Sequence, residues 1–134
     1  FGFGELYEQR VQNEYIHHLG FKQPSELEPY VKSAGVYVLP STYEPWGVAV
    51  HEMALSALPL VLSDKVGAST MFLSSDNGFS FNAGNKHQLT TILKNLMEMS
   101  DESLWEMAES SYKNGLKLKS DDWSDTLLKI YNDN

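Results

Sequence analysis

The stretch Val36-Tyr37-Val38-Leu39-Pro40-Ser41-Thr42-Tyr43-Glu44-Pro45-Trp46-Gly47-Val48-Ala49-Val50-His51-Glu52 decides how this chain folds. Its first four residues are an apolar run stopped by Pro40, the pattern of a buried strand. From Val48 to Leu58 the sequence is apolar nearly all round, the pattern of a buried helix. The segment between them turns from a strand end into a helix start. In an open α/β sheet ligands bind there, because the first N–H groups of a helix lack backbone partners and its dipole favours anions. A ligand with a phosphate and several hydroxyls suits such a loop, which holds one carboxylate, Glu44, while the helix holds another, Glu52. Val48, Ala49, Val50, Met53, Ala54 and Leu55 surround Glu52, so the pattern predicts a carboxylate with almost no solvent face, costly to bury without a partner. The competing reading makes Glu44 and Pro45 an ordinary helix start and Glu52 a surface residue.

Outward from this stretch, helices and strands alternate. Glu5 to Gln12 reads as a short helix, Tyr15 to Leu19 as a strand, and Glu28-Pro29 as the start of a helix through Ala34. After the strand Val36 to Leu39 come a helix from Gly47 to Leu58, ended by Pro59, and a strand from Leu60 to Leu62. Ser63 to Asn77 reads as irregular around Gly67, Phe79 to Phe81 as a strand, and Ala83-Gly84-Asn85 as a turn. The last third is helical: Lys86 to Met99, Asp101 to about Lys119, and Asp121 to Tyr131, with Asp121-Asp122 as its start. This order predicts an α/β fold, a Rossmann-like parallel sheet with flanking helices and right-handed crossovers, followed by a helical C-terminal third. Leu89, Ile92, Leu93, Leu96 and Met97 recur at helical spacing and read as core, as do Leu104, Met107 and Ala108. Trp123, Leu127, Leu128 and Tyr131 form another such stripe, suited equally to the core or to a neighbouring domain.

Composition narrows the function classes. A chain of 134 residues with 42% hydrophobic and 21% charged residues can bury a real core. A net charge of -8 disfavours nucleic acids and anionic membranes as nonspecific partners. Without cysteine the chain has no disulfide framework and no thiolate metal site. With no transmembrane run or signal peptide in view, a cytoplasmic setting is the default expectation. His17 and His18, adjacent in the expected strand, point to opposite faces and do not chelate one metal. His51 reads as a hydrogen-bonded lining histidine more readily than as a general base. Gly2-Phe3-Gly4 lacks the third glycine of a dinucleotide fingerprint and reads as a tight turn. No serine sits in a nucleophile elbow.

Val38-Leu39-Pro40-Ser41 through Glu44-Pro45-Trp46-Gly47, then His51-Glu52-Met53-Ala54 and Leu58-Pro59-Leu60-Val61, resembles the C-terminal domain of GT-B glycosyltransferases of the glycosyltransferase-4, or group 1, family. Glu44 and Glu52 match that family's E-x7-E motif. The resemblance covers most of the chain. Gly2-Phe3-Gly4 is similar to its early Gly-x-Gly loop, Leu19-Gly20-Phe21 to the strand end that meets the base, Asn77-Gly78-Phe79 to a later turn, and Asp122-Trp123-Ser124 to Tyr131 to its closing helix. Two positions depart from the pattern. Ala57 stands where the family has a glycine, a small change, and Val66-Gly67-Ala68-Ser69-Thr70 replaces a segment with a second glycine and an acidic residue that contacts the donor side. The Arg and Lys with which such enzymes hold the diphosphate lie upstream of the region where this chain begins. Residues 1–134 therefore read as a single, partial nucleotide-sugar-binding domain, the C-terminal half of a GT-B fold, from a larger two-domain enzyme.

The resemblance implies a reaction. Glu44 contacts hydroxyls of the donor sugar near the leaving phosphate as the catalytic carboxylate, the backbone of Trp46, Gly47 and Val48 lines the sugar and phosphate, Glu52 binds the ribose, and Phe21 and Lys22 flank the base. A retaining hexosyltransferase of this kind, as in polysaccharide biosynthesis, passes a sugar from a nucleotide donor to an acceptor held by its own N-terminal domain. It uses no metal or other cofactor, and the full-length protein has room for peripheral attachment at the inner face of the membrane. Two alternatives remain: a non-catalytic nucleotide-binding or degenerate Rossmann-like module, and an epimerase or dehydrogenase fragment, which needs a complete glycine fingerprint.

Overall fold

Turn and cap chemistry organises the N-terminal part of the chain. The computed structural model describes residues 5–118, which fall into two compact units divided between Ala34 and Gly35. In the first unit helix α1 spans Glu5–Glu8 and helix α2 spans Pro24–Ser33. α1 is shorter than the expected Glu5 to Gln12, and the strand expected over Tyr15 to Leu19 does not form. Asn13 accepts the Tyr15 N–H on its side chain at 2.8 Å and the Ile16 N–H on its carbonyl at 3.1 Å, leaving only an isolated bridge between Asn13 and Ile16. Such a turn satisfies locally the groups for which a strand needs a neighbour. His17 and His18 consequently lie outside any strand, and His18 bonds the Val11 carbonyl through Nε2 at 2.7 Å. α2 starts at Pro24 instead of Glu28, because Glu26 takes the Gln23 N–H on its carboxylate at 2.8 Å and caps the helix there. Pro24 is the proline of the first turn, and Pro29 lies inside the helix, where the exposed Ser25 carbonyl loses its donor to no structural harm.

In the second unit, Leu60-Val61-Leu62 carries apolar side chains at successive positions, so a strand there must be covered on both faces. It forms the middle of a parallel sheet, β1 (Tyr37–Leu39), β2 (Leu60–Ser63) and β3 (Gly78–Phe81), in the order β1-β2-β3. Val38 pairs with Val61, and Val61 with Phe79. Among the described residues four helices flank this sheet: α3 (Val48–Leu55), α4 (Ser69–Phe72), α5 (Lys86–Glu98) and α6 (Asp101–Gly115). On one face Tyr37, Leu39, Leu60 and Leu62 pack with Val50, Ala54, Val66 and Phe72 of α3, α4 and their loops. On the other, Val36, Val38, Val61, Phe79 and Phe81 meet Ile92 and Leu96 of α5 and Leu104 and Met107 of α6. Each fully buried aliphatic side chain here contributes about 1.5–3 kcal/mol. Met97 departs from its expected place in the core: it is 86% exposed, lying about 90° round the helix from the centre of the Leu89, Ile92, Leu93 and Leu96 stripe.

α6 carries the second half of its length across to α3. A Cβ on Gly115 would stand 2.9 Å from the Leu55 nitrogen, so only glycine allows this approach. His51 seals the seam: its Nε2–H donates to the Gly115 carbonyl at 3.0 Å and its ring stacks on Phe72 at 4.7 Å. Beneath it the buried Asn77 donates through Nδ2 to the Phe72 carbonyl at 2.9 Å and to Ser111 Oγ at 3.1 Å, while its Oδ1 accepts the Ser74 N–H at 2.7 Å. Ser111 in turn donates to the Leu58 carbonyl at 2.6 Å.

α3 ends earlier than Leu58. Its last carbonyls are closed by Ala57 N–H to Ala54 at 2.9 Å and Leu58 N–H to Met53 at 3.1 Å, a Schellman arrangement that puts Ala57 in the left-handed region at φ 57. The Ala57 for glycine departure is therefore a conformational one. A non-glycine residue there costs about 1–2 kcal/mol, partly offset by the entropy glycine adds to the unfolded chain. Ala57→Gly is expected to stabilise the domain by about 0.5–1 kcal/mol in urea titration, with no change in the denaturant slope.

Gly2-Phe3-Gly4, the Asp121-Asp122 helix start, the Trp123, Leu127, Leu128 and Tyr131 stripe and the closing helix lie outside the described residues.

Candidate functional site

The carboxyl ends of all three strands are tied to one another. The Ser63 hydroxyl donates to the Ser41 carbonyl, joining the exits of β1 and β2. Asp64 takes the Ala83 N–H at 2.8 Å, joining the exits of β2 and β3, and that bond, chief among several causes, holds its carboxyl below the usual range. The loop carrying Glu44 lies on this frame. Glu44 donates its N–H to the Lys65 carbonyl at 3.2 Å and accepts the Gly67 N–H at 2.9 Å, forming a one-residue parallel bridge to Val66. The Ala68 N–H reaches the Trp46 carbonyl at 2.7 Å. A Cβ on Gly67 would fall 1.9 Å from the Pro45 carbonyl oxygen, so the two loops touch there through backbone alone.

The turn into α3 depends on Gly47, whose φ of 92 is disfavoured for residues with a side chain. A Cβ at Gly47 would also stand 3.3 Å from Glu44 Cγ, which shows that the half-buried Glu44 side chain lies against this glycine. No side chain caps α3; the Val50 N–H turns back to the Gly47 carbonyl at 2.9 Å, and the N–H groups of Val48 and Ala49 open the helix next to the Glu44 side chain.

Glu52 differs from expectation. It is exposed, as are Val48 at 62% and Leu55 at 38%. These residues recur at helical spacing and form the outer stripe of α3, whereas Val50 and Ala54 form the inner one. The even apolar composition of α3 hid which face turns inward. The half-buried Tyr37 hydroxyl has its pKa raised above the ordinary value, first by burial and then by the charges of Glu44 and Glu52. Trp46 and Tyr43 add exposed aromatic surface beside this site, at 44% and 82%.

Phe21 and Lys22 belong to the first unit, where Phe21 is 60% exposed and Lys22 Nζ stands 3.5 Å from Glu26. His51 is turned into the α3–α6 seam, in keeping with its reading as a lining histidine. Lys65 and Gly67, which bond the Glu44 main chain, and Ser63, which bonds Ser41 and Lys65, carry little mark in the sequence. The available signals are a serine closing an otherwise apolar strand and a glycine four residues past its end. Among the described residues, no three His, Asp or Glu side chains come together as a metal-holding group, and no helix is long and apolar enough to cross a membrane.

The family profile described as "Glycosyl transferases group 1" matches residues 3–117. The chain belongs to this glycosyltransferase family. A probable sucrose-phosphate synthase of Beta vulgaris is 29% identical over 101 residues, 75% of this chain, and a glycogen synthase of Clostridioides difficile is 27% identical over 127 residues, 84% of it. This group 1 chain spans 9% and 26% of those two relatives' lengths. Among solved structures, a sucrose-phosphate synthase from Thermosynechococcus elongatus superposes with a TM-score of 0.75 at 17% identity, over 86% of this chain and 29% of that one. The glycosyltransferase chain thus has the Rossmann-like α/β fold of the GT-B enzymes.

Proposed function

We propose that this domain binds a nucleotide-diphosphate sugar and, with an acceptor-binding N-terminal domain, transfers the sugar with retention of anomeric configuration. The observation that carries the reading is the Glu44 side chain laid against Gly47 at the uncapped start of α3. A carboxylate accepts hydrogen bonds from sugar hydroxyls strongly. The adjacent N–H groups and helix dipole favour a diphosphate, whose charge grows as the bond from the anomeric carbon to phosphate breaks. In this arrangement Glu44 fixes the sugar as the catalytic carboxylate, and the backbone of Trp46, Gly47 and Val48 lines sugar and phosphate. Glu52, on the outer stripe of α3, takes the ribose hydroxyls. No metal enters the transfer, and the protein works in the cytoplasm.

The test is a donor panel of uridine, guanosine and adenosine diphosphate sugars with the full-length protein. We expect one donor to release its nucleoside diphosphate in step with sugar transfer, in EDTA as without it, and the product anomer to match the donor by NMR. Residues 1–134 alone are expected to bind without turnover, since on this reading another domain holds the acceptor. Release from no donor, or turnover by residues 1–134 alone, would overturn this reading.

A further inference from the structure

Resting on the donor reading above, we propose that Ser63 is a positioning residue for Glu44, acting through the two loops that leave β1 and β2. Ser63 is fully buried at the end of an apolar strand, yet it belongs to neither hydrophobic cluster. Its one hydroxyl is used twice: it donates to the Ser41 carbonyl at 2.5 Å and accepts the Lys65 N–H at 3.3 Å. Hydroxyl chemistry allows both at once, one proton given and one lone pair filled.

The two partners lie at different ends of the same assembly. Ser41 opens the loop that carries Glu44, and the Lys65 carbonyl receives the Glu44 N–H at 3.2 Å. Ser41, Glu44, Lys65 and Ser63 therefore form a closed ring of chain segments and hydrogen bonds, completed inside by the Ser63 hydroxyl. Gly67 grips the other side of Glu44. With its backbone held on both sides and its Cγ beside Gly47, the Glu44 side chain leaves the loop at a fixed point next to the start of α3.

Without the hydroxyl, the ring loses its brace but the fold keeps its core. Alanine is nearly the same size as serine, and Lys65 is exposed, so water can take over its N–H. The loop carrying Glu44 then relaxes toward solvent and the carboxylate moves off the productive position. A displacement of about 1 Å at a reacting centre can lower a rate by about a hundredfold.

The experiment is a double-mutant cycle in the full-length protein, reading turnover and nucleoside diphosphate affinity separately. Ser63→Ala is expected to lower turnover about ten- to a hundredfold, with nucleoside diphosphate affinity little changed. Ser63→Thr, which keeps the hydroxyl, is expected to recover most of the rate. In a Glu44→Gln background, Ser63→Ala should lower turnover no further, because the group it positions has gone. Should Ser63→Ala not fold, Ser63→Cys, of similar size but a weak hydrogen-bonder, enters the same cycle. Full turnover in the variant, multiplicative losses in the cycle, or affinity lost in parallel with turnover would overturn the proposal. Glu44→Gln crippled while Ser63→Ala is indifferent sinks this inference alone. A fully active Glu44→Gln protein sinks the donor reading and this one with it.

Discussion

Asn77→Ala is expected to destabilise the domain by about 3–5 kcal/mol, among the largest effects a single substitution can have. The side chain is completely buried and fully engaged, giving hydrogen bonds to the Phe72 carbonyl and Ser111 and receiving them from the Ser74 N–H and hydroxyl. Truncation leaves several of these groups buried without partners, at about 1–3 kcal/mol each before relaxation, and opens a cavity. The loss is a large share of a typical domain's stability. Asn114→Ala, whose amide reaches Phe72 and Ser74 at 3.4 and 3.2 Å, provides the contrast and should cost clearly less. Asn77→Asp isolates the donor: it keeps an acceptor for Ser74 but sets a carboxylate against the Phe72 carbonyl. Burial raises that carboxyl's folded pKa above its unfolded value, so its charge weakens the fold at neutral pH, and stability should recover in part as pH falls through the raised value. Urea titrations of the three variants at two pH values decide the matter, and an Asn77→Ala loss below about 1 kcal/mol would show that the network is not what holds α6 to the sheet.

The sheet was legible because its signals are long-range and redundant. Leu60-Val61-Leu62 and Val36-Tyr37-Val38-Leu39 are apolar at every position, and an element so composed has no stable place except between two covered faces. The amphipathic stripes of α5 and α6 are readable too, with Met97 as the exception. What escaped was decided by single side chains. Asn13 turns the chain where Tyr15 to Leu19 looks like a strand, and Glu26 moves a helix start to Pro24. Local hydrogen bonds of this kind compete with a weak periodic pattern and win when no neighbouring strand is at hand.

The candidate residues can be named from the sequence, but their exposure cannot. Glu44, Gly47 and Glu52 are marked by their place at a strand-to-helix loop together with the family resemblance, yet α3 is too evenly apolar for composition to tell its inner stripe, Val50 and Ala54, from its outer one, Val48, Glu52 and Leu55. Ala57 shows the same limit in backbone terms. Its left-handed conformation is dictated by the helix end around it and cannot be seen in a residue type that ordinarily avoids it. The loop that grips Glu44 was least legible of all, since Lys65 and Gly67 hold it through main-chain groups that every residue possesses.

Glu44→Gln and Glu52→Gln are expected to damage the full-length enzyme in different ways. Glu44 is half-buried, held by backbone bonds on both sides and laid against the start of α3, and in the proposed donor complex it meets the sugar and the departing phosphate. Its amide variant should lose turnover by about a hundredfold or more, the scale of removing one preorganised electrostatic contact, with nucleoside diphosphate affinity nearly intact. Glu52 is exposed on the outer stripe of α3 and has nothing to do with the fold's interior packing. Glu52→Gln should therefore leave stability unchanged while weakening the nucleoside diphosphate by about 1.5–3 kcal/mol, the loss of a charged hydrogen bond to the ribose. Calorimetry with the nucleoside diphosphate and with its 2′-deoxy form separates this from a general electrostatic effect. A lost ribose contact makes the wild type, but not the variant, discriminate between the two ligands. If both variants bind as wild type does and turn over fully, Glu44 and Glu52 are an ordinary helix start and surface residue, and the two-carboxylate assignment falls.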